Sequence, residues 1–253
     1  MNKKKFFSLA LVVLLICTIS FGTLAWFNAT DEVTNKFYVA DSDGDGKPNF
    51  SIEVTENPDN KPQGPGPFPG QNPGELPDET TPDGGHAYHD ILPGSRLNKD
   101  ASVKNTGDYN QWVRVHLIFS DADIWKAAIA KAAAAETRPP MTPDQFVQSR
   151  LFTNLFRDGF NNIHFENNGD AFGAGTLTYT FYYTRQLAPG EEFKVLDSIV
   201  IPGVLEQEDM NFGTDGFTLT IKAEAVQVKN LNATNAFDAF KEVGWEVGSE
   251  YGE

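Results

Sequence analysis

Cysteine is almost missing from this chain: there is one, Cys17, in 253 residues. It lies in an apolar leading segment and follows Ile16, not the small residue that precedes a lipid-modified cysteine. The chain beyond that segment has no thiol, so its fold cannot rest on disulfides. Positive charge is also scarce, with 20 basic against 35 acidic residues. Without Lys3, Lys4 and Lys5 the remainder carries 17 − 35 = −18. Such a surface repels nucleic acid and anionic lipid and favours divalent cations. After residue 25 no apolar run approaches the roughly 20 residues of a membrane-spanning helix. The signatures H-E-x-x-H, G-x-S-x-G and a glycine-rich phosphate loop are absent. There are four histidines. His86 and His89 close a Gly/Pro stretch, His116 falls in a strand and His164 at a strand start, so no helix sets two imidazoles on one face. With so many carboxylates, chance acid–base pairs are expected. The residues therefore predict no enzyme and no organic cofactor.

The leading segment is informative. Three lysines precede an uncharged run, Phe6 to Ile19, and then Gly22-Thr23-Leu24-Ala25. A basic start, a short apolar stretch and small residues before the cut make a secretory signal peptide over residues 1–25. Cleavage is expected between Ala25 and Trp26, giving a secreted chain of 253 − 25 = 228 residues. That length can bury a core as one all-β domain, read here as 26–253.

Along that domain, 26–40 reads as extended and 41–49 as an acidic turn. Phe50–Val54 alternates as a strand. Residues 57–85, dense in proline and glycine, make a surface loop or a semi-extended linker. Strands are predicted at Ala101–Asn105, Gln111–Phe119, Ile163–Glu166, Thr176–Gln186, Glu192–Val200 and Phe217–Val228. A helical insertion spans 121–158. Its first helix is alanine-rich with Ser120 as N-cap. Its second opens on the capping box Thr142-Pro143-Asp144-Gln145 and runs to about Asp158, with Phe146, Val147, Leu151, Leu155 and Phe156 as a core-facing stripe. A weak helix closes the chain over Ala233–Val243. This order predicts an all-β fold with inserted helices, an antiparallel β-sandwich of jelly-roll type.

Asp41, Asp43, Asp45 and Gly46 match the start of a calcium loop, with Asn49 at the ninth position. The twelfth is Ile52 where a bidentate Glu is usual, so a calcium site and a solvated acidic turn both fit. Tyr179, Phe181, Tyr182 and Tyr183 are sheet core or a carbohydrate platform, with packing favoured.

Several of these segments resemble a known family. Gly22-Thr23-Leu24-Ala25 before Trp26-Phe27-Asn28 resembles substrates of the alternative signal peptidase SipW of Gram-positive bacteria. Leu92-Pro93-Gly94-Ser95 ahead of Val103-Lys104-Asn105-Thr106-Gly107 is similar to a strand pair of the TasA and camelysin family of biofilm-matrix proteins. So are Leu187-Ala188-Pro189-Gly190-Glu191, Val200-Ile201-Pro202-Gly203 and Lys222–Gln227. The 57–85 segment and the Asp-rich loop depart from that pattern. The resemblance implies an extracellular fibre subunit that polymerises with itself, head to tail, by donor-strand exchange, with an accessory matrix protein as a further partner. The donor is then 26–39, anchored by Trp26, Phe27, Val33 and Phe37. Equally, that segment can pair within its own subunit. A secreted camelysin-like metallo-endopeptidase and a monomeric surface adhesion module are the alternatives.

Overall fold

The computed structural model describes residues 28–32, 35–36, 50–57, 75, 77–80, 86–156, 163–212 and 216–249. Twelve strands form there: β1 (Asn28–Glu32), β2 (Asn35–Lys36), β3 (Ile52–Glu56), β4 (Glu79–Thr80), β5 (His86–Ala87), β6 (Arg96–Asn105), β7 (Gln111–Phe119), β8 (Phe152–Thr153), β9 (Ile163–Gly169), β10 (Leu177–Leu187), β11 (Glu192–Val200) and β12 (Leu219–Gln227). The larger sheet runs β2-β1-β12-β7-β10-β9 and the smaller β3-β6-β11-β8; β4 and β5 make a separate hairpin. Every named pair is antiparallel.

Alternation in the strands dictates which face is buried. Val113, Val115, Leu117 and Phe119 of β7, Tyr179, Phe181 and Tyr183 of β10, and Ile221, Ala223 and Ala225 of β12 all enter one core with Val103 of β6 and Phe193 and Ile199 of β11. Aromatic pairs bridge the sheets: Tyr183 stacks on Phe193 at 4.3 Å between ring centres, and Phe156 meets Phe181 at 5.1 Å. The expected two-sheet sandwich with inserted helices is therefore the fold observed.

The insertion differs in detail. Helix α1 (Ala122–Ala135) packs Trp125 against Phe119 and Phe217. Its N-cap is Asp121, in the left-handed region, rather than Ser120. Ser120 is occupied elsewhere: its hydroxyl donates to Asp121 and accepts from the Thr218 N–H at 2.9 Å. Helix α2 (Pro143–Phe146) starts with the expected reciprocal box between Thr142 and Gln145. It widens to a π-helical turn over Val147–Leu151 and stops there, not near Asp158. Phe152 turns extended because β8 pairs with Ser198 and Ile199 of β11. The ladder and the Thr153–Ser198 hydroxyl contact replace further helical bonds. Leu155 and Phe156 are still buried, delivered by a turn in which Asn154 and Phe156 take positive φ. Helix α3 (Ala236–Glu242), capped by Asn235, lies on the outer face of the larger sheet. Within 57–85, Glu75 bridges Leu97 of the smaller sheet, while Glu79–Thr80 pair with β5 in the separate hairpin.

Candidate functional site

The leading strand lies at the margin of the larger sheet. β1 runs antiparallel to β12 from Asn28 opposite Val226 to Glu32 opposite Lys222, and β2 folds back on it as a two-residue margin. The described part of the leading segment therefore pairs within its own chain. On its other side β12 is bonded to β7 along its whole nine residues. Lifting the β1–β2 hairpin away leaves the β12 backbone groups over 222–226 that face it without partners, an open edge that another strand can fill. The β1 sequence, Asn-Ala-Thr-Asp-Glu, has no large apolar residue. The β12 positions opposite Ala29 and Asp31 are Ala225 and Ala223.

The outer face of the same sheet holds a buried ionic cluster. Alternation puts Arg114 and His116 of β7 on this face, beside Glu224 of β12 and Thr180 and Tyr182 of β10. Arg114 Nε donates to Glu224 Oε2 at 2.6 Å, and His116 Nε2 lies 3.1 Å from the same oxygen. His116 Nδ1 is 2.9 Å from Thr180 Oγ1. The consistent tautomer carries the proton on Nε2 and accepts from Thr180 at Nδ1. Burial drives the His116 pKa below its ordinary value despite Glu224, so the ring is neutral at pH 7. Burial would push Glu224 up, but His116, Arg114 and Lys222 outweigh it and hold the carboxyl at about 2. The Nε2–H of His116 donates to the carboxylate, and the Arg114 guanidinium and the Lys222 ammonium add to it. Burial, with Glu166 alongside and against the pull of Arg114, raises the Tyr182 hydroxyl to about 12, and it donates to Glu166 at 3.1 Å.

The chain after α3 closes over this cluster. Arg114 donates to the carbonyls of Trp245 at 2.9 Å and Glu246 at 3.2 Å, and its guanidinium lies 4.2 Å from the Phe240 ring centre. Gly248 seals the far end: a Cβ there would sit 1.9 Å from the Ala171 carbonyl oxygen. Beside it is a cleft of about 440 Å³ bounded by Glu166, Asn168, Tyr182, Phe237 and Trp245. Arg114 and Glu166, which line it, are already partnered within the chain, and Arg114 holds the C-terminal segment down.

Four of the segments quoted for the resemblance meet in pairs at the two ends of the sandwich. At one end Asn105, fully buried, donates from Nδ2 to the carbonyls of Tyr109 and Leu187 at 2.7 and 2.9 Å and accepts from the Gly107 N–H at 2.9 Å. Its backbone bonds Gly190 and Glu191 in the turn between β10 and β11. At the other end Gly94 N–H donates to Ile201 at 3.0 Å, and Ile201 N–H returns to Ser95 at 2.8 Å. Gly94 and Gly203 pack so closely that a Cβ on either would touch the other's Cα, at 3.9 and 3.7 Å.

Several predicted site residues lie outside the described residues: Ala25 and Trp26 at the cleavage point, the anchors Trp26, Phe27, Val33 and Phe37, and Asp41, Asp43, Asp45 and Asn49 of the calcium loop. His86 falls in β5, His116 is in the cluster, and His164 of β9 packs on Phe237 at 4.2 Å. Tyr179, Phe181 and Tyr183 are core, as packing favoured, while Tyr182 faces the C-terminal segment. Among the described residues no three His, Cys, Asp or Glu side chains are placed to share a metal ion, and no helix is long and apolar enough to cross a membrane. The Arg114–Glu224–His116 cluster escaped the sequence reading. Its signal is the pair of polar residues at alternate positions of an otherwise apolar strand, together with an aromatic-rich tail able to cover them. Comparison with family models finds no match, and no curated protein or solved structure matches this chain at a significant level.

Proposed function

We propose that this protein is a secreted structural subunit of an extracellular, biofilm-type fibre. A signal peptidase releases it, and copies join head to tail by exchanging the leading strand, with no catalytic role. The supporting observation is β1, a short polar strand at the margin of the larger sheet, with Ala29 and Asp31 opposite Ala225 and Ala223 of β12. Exchange of such a strand between copies restores each ladder bond it breaks. A head-to-tail exchange that does not close on itself extends without limit. In this reading the sandwich wraps as a jelly roll, the hairpin closes the groove in the isolated subunit, and a neighbour's segment replaces it in the fibre. The resemblance of the paired turns to the TasA and camelysin family points the same way.

The scarcity of cysteine gives a clean test. Ala29 lies opposite Ala225, so Ala29→Cys with Ala225→Cys places two thiols within reach of a disulfide. Oxidised fibres should run as covalent ladders on a denaturing gel, whereas oxidation before assembly should trap single subunits. Filaments that persist in electron micrographs after residues 26–37 are deleted would sink the proposal.

Calcium is the proposed ligand of the loop bearing Asp41, Asp43, Asp45 and Asn49, where it would stiffen the link between β2 and β3. Titration calorimetry should give a binding heat that Asp43→Ala abolishes; equal heats in both proteins exclude this site.

A further inference from the structure

The two ends of the sandwich are not alike. Chain direction puts Asn28, Val226, Trp112 and the Asn105 turn at one end. The turns at 92–95 and 201–204 lie at the other, where β6 begins and β11 ends. A nine-residue strand such as β7 separates them by roughly 30 Å.

Among the described residues, Leu92 and Val204 are the only large apolar side chains left strongly exposed, at 59 % and 43 %. Both belong to the paired turns. Isolated exposed apolar residues need no explanation, but two on adjoining, hydrogen-bonded turns are a different matter. Each follows or precedes a proline, at Pro93 and Pro202, and the glycines behind them touch. Ser95 braces the first turn, accepting from Leu92 N–H at 3.2 Å and donating to Glu75 at 2.8 Å. Ile201 and Leu205 on either side are buried. The side chains are thus held outward by a stiff base and would lose little freedom on being covered. Exposed Glu206 and Glu208 follow directly, and Glu75 stands beside Ser95, so the rim is acidic.

Asn28 starts at the opposite end, and the two residues before it in sequence are Trp26 and Phe27. Cleavage after Ala25 gives Trp26 a positively charged amino group. Two aromatic rings behind an ammonium complement an apolar knob with an acidic rim. The rest of the surface of a chain with net charge −15 makes copies repel.

We propose that the paired turns bearing Leu92 and Val204 are the docking point for the Trp26–Phe27 end of the leading strand seated in the sheet of the adjoining subunit. This inference rests on the fibre reading and adds to it the axial contact that joins successive subunits.

The test uses protein processed and exported by the secreting cell. Leu92→Ser with Val204→Ser alters only exposed side chains, so circular dichroism and the unfolding midpoint should match the parent. The concentration for half-assembly, read by light scattering and electron microscopy, should rise about tenfold or more. In a second arm, a photo-crosslinking benzoylphenylalanine at position 27 of one copy should link to peptides containing 92 or 204 of another. Parent filaments with an unimpaired double variant, or crosslinks that fall elsewhere, overturn this inference alone. A parent that never forms filaments overturns the fibre reading, and this contact with it.

Discussion

Replacing Glu224 by glutamine should be the most damaging single change in the outer cluster. The substitution keeps the shape but removes the charge opposite Arg114, whose side chain is 1 % exposed. An uncompensated buried guanidinium costs about 3–5 kcal/mol, a large part of the stability of a domain this size. Arg114 also holds the Trp245 and Glu246 carbonyls, so hydrogen exchange over 236–249 should accelerate first. Acid should reveal the same group. Glu224 keeps its charge down to about pH 2 in the folded protein, against an ordinary value of 4.5. The unfolded chain therefore takes up that proton first as pH falls. The stabilisation is complete above pH 4.5 and disappears towards pH 2, a loss of about 3 kcal/mol. His116 adds to the trend: the unfolded ring protonates below 6.5 while the buried one resists, so stability begins to decline there. Urea unfolding from pH 7 to pH 2.5 should show both slopes in the parent and lack the lower one in Glu224→Gln. Replacing both partners, Arg114→Met with Glu224→Leu, should cost less than the single change. A single variant within about 1 kcal/mol of the parent, with an unchanged acid profile, would refute the reasoning.

Gly248→Ala should loosen the C-terminal segment, because the new methyl meets the Ala171 backbone and φ is +81°; a loss of about 2 kcal/mol in thermal unfolding and early proteolytic trimming of the tail are expected. Asn105→Ala strands two buried carbonyls and one N–H, and urea titration should register about 2–4 kcal/mol. Thr142→Ala removes an exposed N-cap bond from a short helix and should cost only about 1 kcal/mol.

Much of the fold is legible in the sequence. β7 and β11 fall on the predicted residues because β-branched and aromatic runs stop at Asn, Gly and Pro. The box at Thr142 likewise carries its own chemistry. What the sequence hides is tertiary. Val147, Leu151, Leu155 and Phe156 fit one helical stripe, yet the chain leaves the helix at Phe152 because β11 offers a ladder there. Ser120 looks like a cap but serves Thr218, almost a hundred residues away. The outer face of β7 reads as solvated until Phe240 and Trp245 cover it. The β1 pairing was open in the sequence for a physical reason: a polar pentapeptide carries no pattern that chooses between its own sheet and another's.

The position of β7 also has a kinetic meaning. It lies between β10 and β12, and its Arg114 finds Glu224 110 residues later, while Asn105 waits 82 residues for Leu187. Closing such long loops is slow, and the strand that finishes the central ladder is among the last to be synthesised. A chain without β12 leaves that side of the β7 ladder unpaired, so the larger sheet is completed only when synthesis is nearly over.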